Sequence, residues 1–289
     1  MSAKLACIAG ATIYRMLKGG HLDAQEPVRK LTPFGLPEPA FLVNNSDAPF
    51  YLMPRHGPGL DRPAPWPMNV RANLYALKDL GVEAIVSWSA AGAITHNLHL
   101  GQLMLPDDVL DMTRRRPMTM FENCALGFLR QFPVFCDPLR EMLADVMVEL
   151  GLSAQMGGTV AVTEGPRLET PAEVRMLATV GAEVVTHTLA PEVFLARELQ
   201  MCYAGICYIV NYAETGSRHR PFNVGELFAE LRQDQGGKPP TDTAELLPKL
   251  LTRLAAKLKQ TPPACDCRQS MSEYIKDYDL SDNWREWFD

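Results

Sequence analysis

The stretch MNVRANLYALKDLGVEAIVSWSAAGA, residues 68–93, decides the fold of this 289-residue chain. Apolar side chains recur at helical spacing through its first half, at Val70, Leu74, Leu77 and Leu80. That spacing predicts a helix over 68–80, ended by Gly81. The apolar run 82–88 predicts a buried strand, and the small residues of 89–93 predict a turn after it. These 26 consecutive residues therefore predict one helix followed by one strand.

Strands and helices alternate along the rest of the chain as well. Further strands are predicted at 4–9, 159–163, 182–185 and 201–210, with an antiparallel pair at 41–43 and 50–53. Further helices are predicted at 138–150, 171–180, 191–199 and 222–258, the last with a break near 236–240. The alternation predicts an α/β fold, a single domain with a central mixed, largely parallel β-sheet flanked by helices. We expect this domain to span 1–259, and the compositionally different 260–289 to be a C-terminal extension.

Composition and charge narrow the classes of function. The chain is 47% hydrophobic with a formal net charge of −6, and it has no basic stripe that could replace the counterions of a nucleic acid. No run of about 18 apolar residues is present, so no membrane span is expected. The first ten residues lack the layout of a secretory signal. We therefore expect a cytoplasmic protein with neither a nucleic-acid nor a membrane partner.

The cysteines offer little sign of a metal. There are seven, at positions 7, 124, 136, 202, 207, 265 and 267, and their odd number and irregular spacing suit a reducing cytosol. Cys7 and Cys207 lie in apolar strand-like runs, where cysteine acts as a small hydrophobe. Cys265 and Cys267 form the one suggestive pair, but no second pair or histidine stands nearby in sequence. A structural or incidental role is expected for them, and no metal.

Small and polar residues follow most of the predicted strands. These segments are 10–12, 55–56, 89–92, 164–169, 186–188 and Asn211. In open α/β sheets, ligands bind beyond the carboxyl ends of the strands. The recurrence predicts one composite site at that edge of the sheet.

A series of short motifs follows a recognisable order. They are PRHG at 54–57, MNVRAN at 68–73, AAG at 90–92, GGT at 157–159, EGPRLET at 164–170, APE at 190–192 and ARE at 196–198. Together they resemble the trimeric nucleoside phosphorylases, the methylthioadenosine phosphorylase and purine nucleoside phosphorylase family, over residues 4–258. The resemblance implies a homotrimer, alone or as a pair of trimers, with sites near subunit interfaces. It also implies a purine nucleoside as substrate, inorganic phosphate as co-substrate, and no cofactor.

The residues at these motifs suit a phosphate dianion. Arg55 and His56 offer charge-assisted donors directly after a strand. Ser89 and the backbone amides of the small-residue turn add neutral donors. The expected phosphate-binding residues are Gly10, Thr12, Arg55, His56, Ser89, Ala90 and Thr188. A surface ion pair beside a structural histidine is the alternative interpretation of Arg55 and His56.

The resemblance aligns Glu169 and Asn211 with the positions that read the purine. The 6-oxopurine branch of the family holds Glu and Asn there, and the adenine branch holds Ser and Asp. A 6-oxopurine carries an N1–H donor for the carboxylate and an O6 acceptor for the amide, whereas adenine mismatches both. The expected catalytic residues are Asn211, Glu169 and His56. Alternatively, Glu169 caps the helix that begins at Pro171, and Asn211 holds a turn.

The rest of the expected nucleoside site is partly apolar. It comprises Ala91, Gly92, Leu168, Thr186, His187, Ala213, Val224, Leu227 and Phe228. The last three would line the 5′ position and suit a methylthio group, which implies 5′-methylthioinosine, with inosine and guanosine as the next candidates. The three could equally form the core face of an amphipathic helix, and His219 is close enough in sequence to favour a 5′-hydroxyl.

Three departures from the family pattern leave other functions open. Ala11 stands where the first phosphate loop usually has threonine, His187 stands where methionine contacts the ribose, and Thr186 replaces the usual Asn or Gly. Ala213, in contrast, replaces an acidic residue of the adenine branch and supports the oxopurine interpretation. The alternatives are a 5′-methylthioadenosine phosphorylase, and a nucleoside-binding protein or hydrolase with a degraded phosphate site.

Overall fold

The computed structural model describes residues 3–10, 16–17, 22–44, 48–57, 68–122, 125–213 and 243–288. Within these ranges ten strands form one mixed sheet. The strands are β1 (Leu5–Ala9), β2 (Phe41–Val43), β3 (Phe50–Pro54), β4 (Ala84–Ala93), β5 (Leu103–Leu105), β6 (Asp108–Asp111), β7 (Ala154–Met156), β8 (Thr159–Val162), β9 (Ala182–Thr186) and β10 (Cys202–Tyr212). The helices are α1 (Val70–Asp79), α2 (Asp137–Glu149), α3 (Pro171–Thr179), α4 (Glu192–Glu198), α5 (Thr243–Gln260) and α6 (Ser272–Asp277).

The centre of the sheet is parallel and buried. The main path runs β2-β3-β1-β4-β10-β5-β7, with β9 joining β4 and continuing to β8 and β6. β1 pairs in parallel with β3 and β4, and β4 pairs in parallel with β10 along nearly its whole length. Antiparallel pairs join β2 to β3, β5 to β10, and β9 to β4. The predicted mixed, largely parallel α/β sheet is confirmed, as is the antiparallel pair β2–β3.

Helices cover both faces of this sheet because each presents one apolar stripe to it. On one face, α2 and α5 pack Leu143 and Leu250 against the core around Trp88. On the other face, α1 and α4 pack Leu74 and Leu195 against a second core. Asn69 caps the start of α1, because its side chain accepts a hydrogen bond from the N–H of Ala72, and Gly81 follows the end of the helix with a φ of +86°.

The structure corrects the expected elements in two places. Residues 89–93, predicted as a turn, are the second half of β4, because they stay paired with β10 as far as Ala93 and Tyr212. The short strands β5, β6 and β7 were not predicted, since three or four residues carry too little periodic signal. Of the helix predicted over 222–258, the part from 243 onward is described and forms α5.

The C-terminal segment packs on the same body as the sheet. Met271 and Trp287 are buried in the core beside α1 and α4. The Phe288 ring contacts those of Phe34 and Phe121. Among the described residues, no helix combines the length and apolar composition needed to cross a membrane.

Candidate active site

A pocket opens where the carboxyl ends of β4 and β10 meet the end of β9. It encloses about 210 Å³ and is lined by Ala90, Ala91, Gly92, Pro166, Leu168, Glu169, Val174, Val185, Thr186, His187, Val210, Asn211, Tyr212 and Ala213. Every residue that the sequence predicted for nucleoside binding lies in this lining, apart from Val224, Leu227 and Phe228. Those three lie outside the described residues, as does Thr12 of the expected phosphate site.

Asn211 reaches the pocket through an irregularity in β10. The register with β4 shifts between Ile209 and Asn211, and Asn211 then stands opposite Gly92. A Cβ added to Gly92 would lie 2.9 Å from Asn211 Oδ1, closer than real side chains approach. Gly92 therefore makes room for the buried carboxamide, which belongs to a strand and not to a turn.

Glu169 is held by hydrogen bonds across the pocket wall. Thr163 Oγ1 donates to Glu169 Oε1, and His187 Nδ1 lies 2.9 Å from the same threonine oxygen. Because that hydroxyl donates to the carboxylate, it accepts from His187, which must carry its proton on Nδ1. Burial lowers the pKa of His187, although the Glu169 charge opposes this shift. A neutral ring protonated at Nδ1 presents its Nε2 lone pair as an acceptor.

Glu169 does not cap the helix that follows it. Thr170 is the N-cap of α3 and forms a capping box with Glu173, with a proline in the first turn. Thr170, and not Glu169, therefore caps this helix. The side chain of Glu169 is 8% exposed and turns toward the pocket instead.

A chain of hydroxyl groups runs beside the pocket. Thr188 Oγ1 donates to Ser89 Oγ at 2.8 Å, and Ser89 Oγ lies 3.1 Å from Ser87 Oγ. On the other side Thr188 lies 3.1 Å from the hydroxyl of Thr186, which donates to the Ala90 carbonyl at 2.8 Å. The hydroxyl groups of Ser87, Ser89, Thr188 and Thr186 therefore form one row, the hydroxyl line, from β4 to the end of β9.

Arg55 joins the end of this line and forms a buried ion pair. Its Nη2 donates to Ser87 Oγ at 2.6 Å, while Nε and Nη2 donate to the two carboxylate oxygens of Glu192 at 2.9 and 3.0 Å. The Tyr203 hydroxyl also donates to Glu192, at 2.5 Å. Burial alone would raise the pKa of Glu192, but the Arg55 charge and these hydrogen bonds hold it below its usual value. The ion pair is buried, not on the surface, and it leaves Nη1 of Arg55 outside these bonds.

His56 stands next to Arg55 and against the end of β1. Its ring carbon Cδ2 lies 3.4 Å from where a Cβ of Gly10 would stand. Part of the ring faces solvent, yet the protein around the rest of it, together with the Arg55 charge, lowers the pKa of His56 to about 4. The imidazole is therefore neutral near pH 7 in the free protein.

The wall that carries Glu169 is fixed by contacts that the sequence did not predict. Arg116 is buried and donates to the carbonyl oxygens of Ala190, Thr163 and Glu164 at 2.7, 3.1 and 2.9 Å. The Glu164 carboxylate accepts from the N–H of Arg114 at 2.7 Å. Glu192 pairs with Arg55, and Arg116 binds the carbonyl oxygens of this wall. Both roles depend on contacts between residues far apart in sequence, so no local pattern predicts them.

The chain is similar to known proteins over most of its length. Residues 50–236 match the model of the phosphorylase superfamily. A probable S-methyl-5'-thioinosine phosphorylase of Methanothermobacter thermautotrophicus is 35% identical over 268 residues, which cover 92% of this chain and 88% of that protein. An S-methyl-5'-thioadenosine phosphorylase of Saccharolobus solfataricus is 32% identical over 275 residues, covering 93% and 96% of the two chains. The crystal structure of a methylthioadenosine phosphorylase from an antarctic soil metagenomic library superposes with a TM-score of 0.80 at 25% identity, covering 94% and 92%.

Proposed function

This chain belongs to the phosphorylase superfamily, as a purine nucleoside phosphorylase, and we propose that its substrate is a 6-oxopurine nucleoside, 5′-methylthioinosine first. The reaction would give the free base and the corresponding ribose 1-phosphate. The observation that carries the proposal is the joint presence of Glu169 and Asn211 in one pocket of about 210 Å³.

The two side chains match the edge of a 6-oxopurine. Thr163 occupies Oε1 of Glu169, which leaves Oε2 to accept from purine N1–H. The amide of Asn211 would donate to O6 and stabilise the base as N7 takes up a proton. An adenine would leave both protein groups mismatched, at about 1–3 kcal/mol each, which amounts to discrimination on the order of 10³-fold.

Both groups are held in place before a ligand arrives. Gly92 fixes how closely Asn211 approaches β4, and Thr163 with neutral His187 fixes the carboxylate. His187 Nε2 would accept a hydrogen bond from a ribose hydroxyl. Donors and acceptors that need no rearrangement are the main source of stabilisation in such reactions.

Phosphate would bind at the hydroxyl line, on the side of Ser89 and Thr188. When Ser87 accepts from Arg55 and donates to Ser89, Ser89 accepts two hydrogen bonds and its own O–H is available to a phosphate oxygen. His56, the backbone N–H of Ala90, Gly10 and Thr12 complete the proposed site. Arg55 would act on the phosphate through Ser87, whose hydroxyl it orients, because Glu192 balances the charge of its guanidinium.

The chemistry is a displacement at the anomeric carbon of the sugar. The bond from C1′ to the purine nitrogen breaks through an oxocarbenium-like state while a phosphate oxygen forms the new bond to C1′. The electron pair of the broken bond leaves with the purine, which Asn211 and Glu169 stabilise. No covalent enzyme intermediate is needed, because positioning and preorganised charge lower the barrier.

The preference for a 5′-methylthio group rests on the apolar residues Val224, Leu227 and Phe228 and on the relative named for that substrate. Burying a methyl-sized group is worth about 0.8 kcal/mol, so the preference over inosine should be modest.

A panel of nucleosides, assayed with and without phosphate, tests the proposal. We expect turnover of 5′-methylthioinosine, inosine and guanosine only when phosphate is present. Release of adenine from 5′-methylthioadenosine as the best reaction would assign the enzyme to the adenine branch. Turnover that persists without phosphate would indicate a hydrolase, and binding without turnover would indicate a nucleoside-binding protein.

We further propose that the enzyme is a cytoplasmic homotrimer. Apart from the family resemblance, the support is that three large apolar side chains within 15 residues of chain are exposed, Met118, Phe128 and Phe132, with exposed fractions of 58, 83 and 90%. Contact with another subunit would cover such side chains. Light scattering coupled to size exclusion should give three times the mass of one chain.

A further inference from the structure

Four cysteines that are distant in sequence meet at the amino-terminal end of β10. They are Cys136, Cys202, Cys265 and Cys267, and their sulfur atoms all lie within 4.8 Å of one another. Cys136 is the N-cap of α2, and Cys202 is the first residue of β10. This is the opposite end of β10 from Asn211, so the cluster is separate from the nucleoside pocket.

The backbone around the four sulfurs is held by hydrogen bonds. The N–H of Cys136 donates to the Tyr203 carbonyl at 2.9 Å, which ties the start of α2 to β10. On the tail side, Gln200 Nε2 donates to the Arg268 carbonyl at 2.7 Å, and Ser270 Oγ donates to the Cys267 carbonyl at 3.1 Å. Two separate parts of the chain are thus fixed so that their thiols face each other.

The spacing of the sulfurs suits a shared ion better than pairwise bonds. Cys202 Sγ lies 3.4 Å from Cys265 Sγ, whereas a disulfide needs about 2.05 Å. In a tetrahedral site with zinc–sulfur bonds of about 2.3 Å, the sulfurs stand about 3.8 Å apart. The Cys202–Cys265 distance of 3.4 Å and the upper limit of 4.8 Å for all four sulfurs bracket that value.

We propose that these four cysteines bind one Zn²⁺ ion as a closed, structural site with four thiolate ligands. Thiolate sulfur in a tetrahedral set is the donor arrangement that selects zinc among common divalent ions. Cys136 and Cys202 are buried, and Cys136 stands at the start of the 13-residue helix α2. With four protein ligands the ion keeps no open position, so it takes no part in phosphorolysis.

The site would fasten the C-terminal segment to the body of the enzyme. Cys136 and Cys202 belong to the sheet and its helix, while Cys265 and Cys267 follow α5 and precede α6. The segment after Cys267 inserts Met271 and Trp287 into the core beside α1. An ion bridging the two parts would hold that segment in place more firmly than its apolar contacts alone.

Metal analysis of the untagged full-length chain, purified without chelator, tests the proposal. We expect one zinc per chain, four sulfur ligands at about 2.3 Å by X-ray absorption, and seven reactive thiols after unfolding in EDTA without reductant. A metal-free protein with seven thiols would overturn the proposal. A count two or four thiols lower would overturn it in favour of disulfides, and iron in place of zinc would overturn the choice of ion.

Two variants compare the loss of a cysteine inside the four-cysteine cluster with the loss of a cysteine outside it. Cys265→Ser should lose most of the zinc, lower the thermal midpoint by about 5 °C and make the segment after 260 sensitive to protease. Cys207→Ala removes a buried cysteine outside the cluster and should keep one zinc per chain. Full zinc content in Cys265→Ser would contradict the assignment. Should that variant fail to fold, the metal content and absorption spectrum of the wild type still decide.

Discussion

The carboxamide oxygen of Asn211 lies in space that only a glycine at position 92 leaves open. A Cβ on Gly92 would stand 2.9 Å from Asn211 Oδ1, while the same position on β4 is paired with Asn211 across the sheet. The proposed base-reading side chain is therefore placed by a residue that itself carries no functional group.

Gly92→Ala should displace Asn211 and reduce kcat/KM by about 10²-fold, since a misplacement near 1 Å has effects of that size. Circular dichroism should show a retained fold. Gly151→Ala is a suitable control because its Cβ meets nothing within 4 Å, although a φ of +71° strains it. That control should lose about 1 kcal/mol of stability and keep its activity. Equal kinetics in Gly92→Ala and wild type would contradict the placement of Asn211.

Asn211→Asp should move the preference toward 6-aminopurines. A carboxylate cannot donate to O6 but can accept from an exocyclic amino group, so the ratio of oxo to amino activity should fall by about 10–100-fold. Steady-state kinetics with inosine and adenosine measure the ratio. The exposed Asn97→Asp makes the same chemical change on the surface and should leave the ratio unaltered. Equal loss of both activities would argue against base reading by Asn211.

Glu192→Gln should destabilise the fold by about 3–5 kcal/mol, because it leaves the Arg55 guanidinium buried without its counter-charge. Both side chains of the pair are almost fully buried, at 2 and 6% exposure. Urea unfolding measures the change. Glu149→Gln breaks the exposed pair with Lys257 and should cost no more than about 1 kcal/mol. Similar losses in the two variants would show that the buried pair contributes no more to stability than a surface pair.

Glu198 should make stability fall as the pH rises. It is 2% exposed and accepts hydrogen bonds from the N–H of Met120 and from Thr119, yet burial raises its pKa from 4.5 to about 7. The folded state then binds the proton more tightly than the unfolded state. The free energy of unfolding should decline between about pH 4.5 and 7, by about 3 kcal/mol, and level off above. Glu198→Gln should lack this decline in urea titrations at several pH values; parallel profiles would contradict the raised pKa.

The sequence predicted the layered α/β fold because helix and strand periods are local signals, as in 68–88. The described residues that it predicted for nucleoside binding lie together in the lining of one pocket, since they follow strands that end at one edge of the sheet. It missed β5 to β7, which are too short to show a period. Three features arise only from tertiary packing: the Arg55–Glu192 pair, the hydrogen bonds of Arg116, and the cluster that Cys136 and Cys202 form with Cys265 and Cys267. The residues next to them in sequence do not predict these contacts.

A direct competition tests the central claim, that Glu169 and Asn211 together select the oxo edge of the purine. Equimolar 5′-methylthioinosine and 5′-methylthioadenosine, offered in one reaction with phosphate, yield hypoxanthine and adenine in the ratio of the two kcat/KM values. We predict hypoxanthine in excess by about 10³-fold. Adenine in equal or greater amount would contradict the claim.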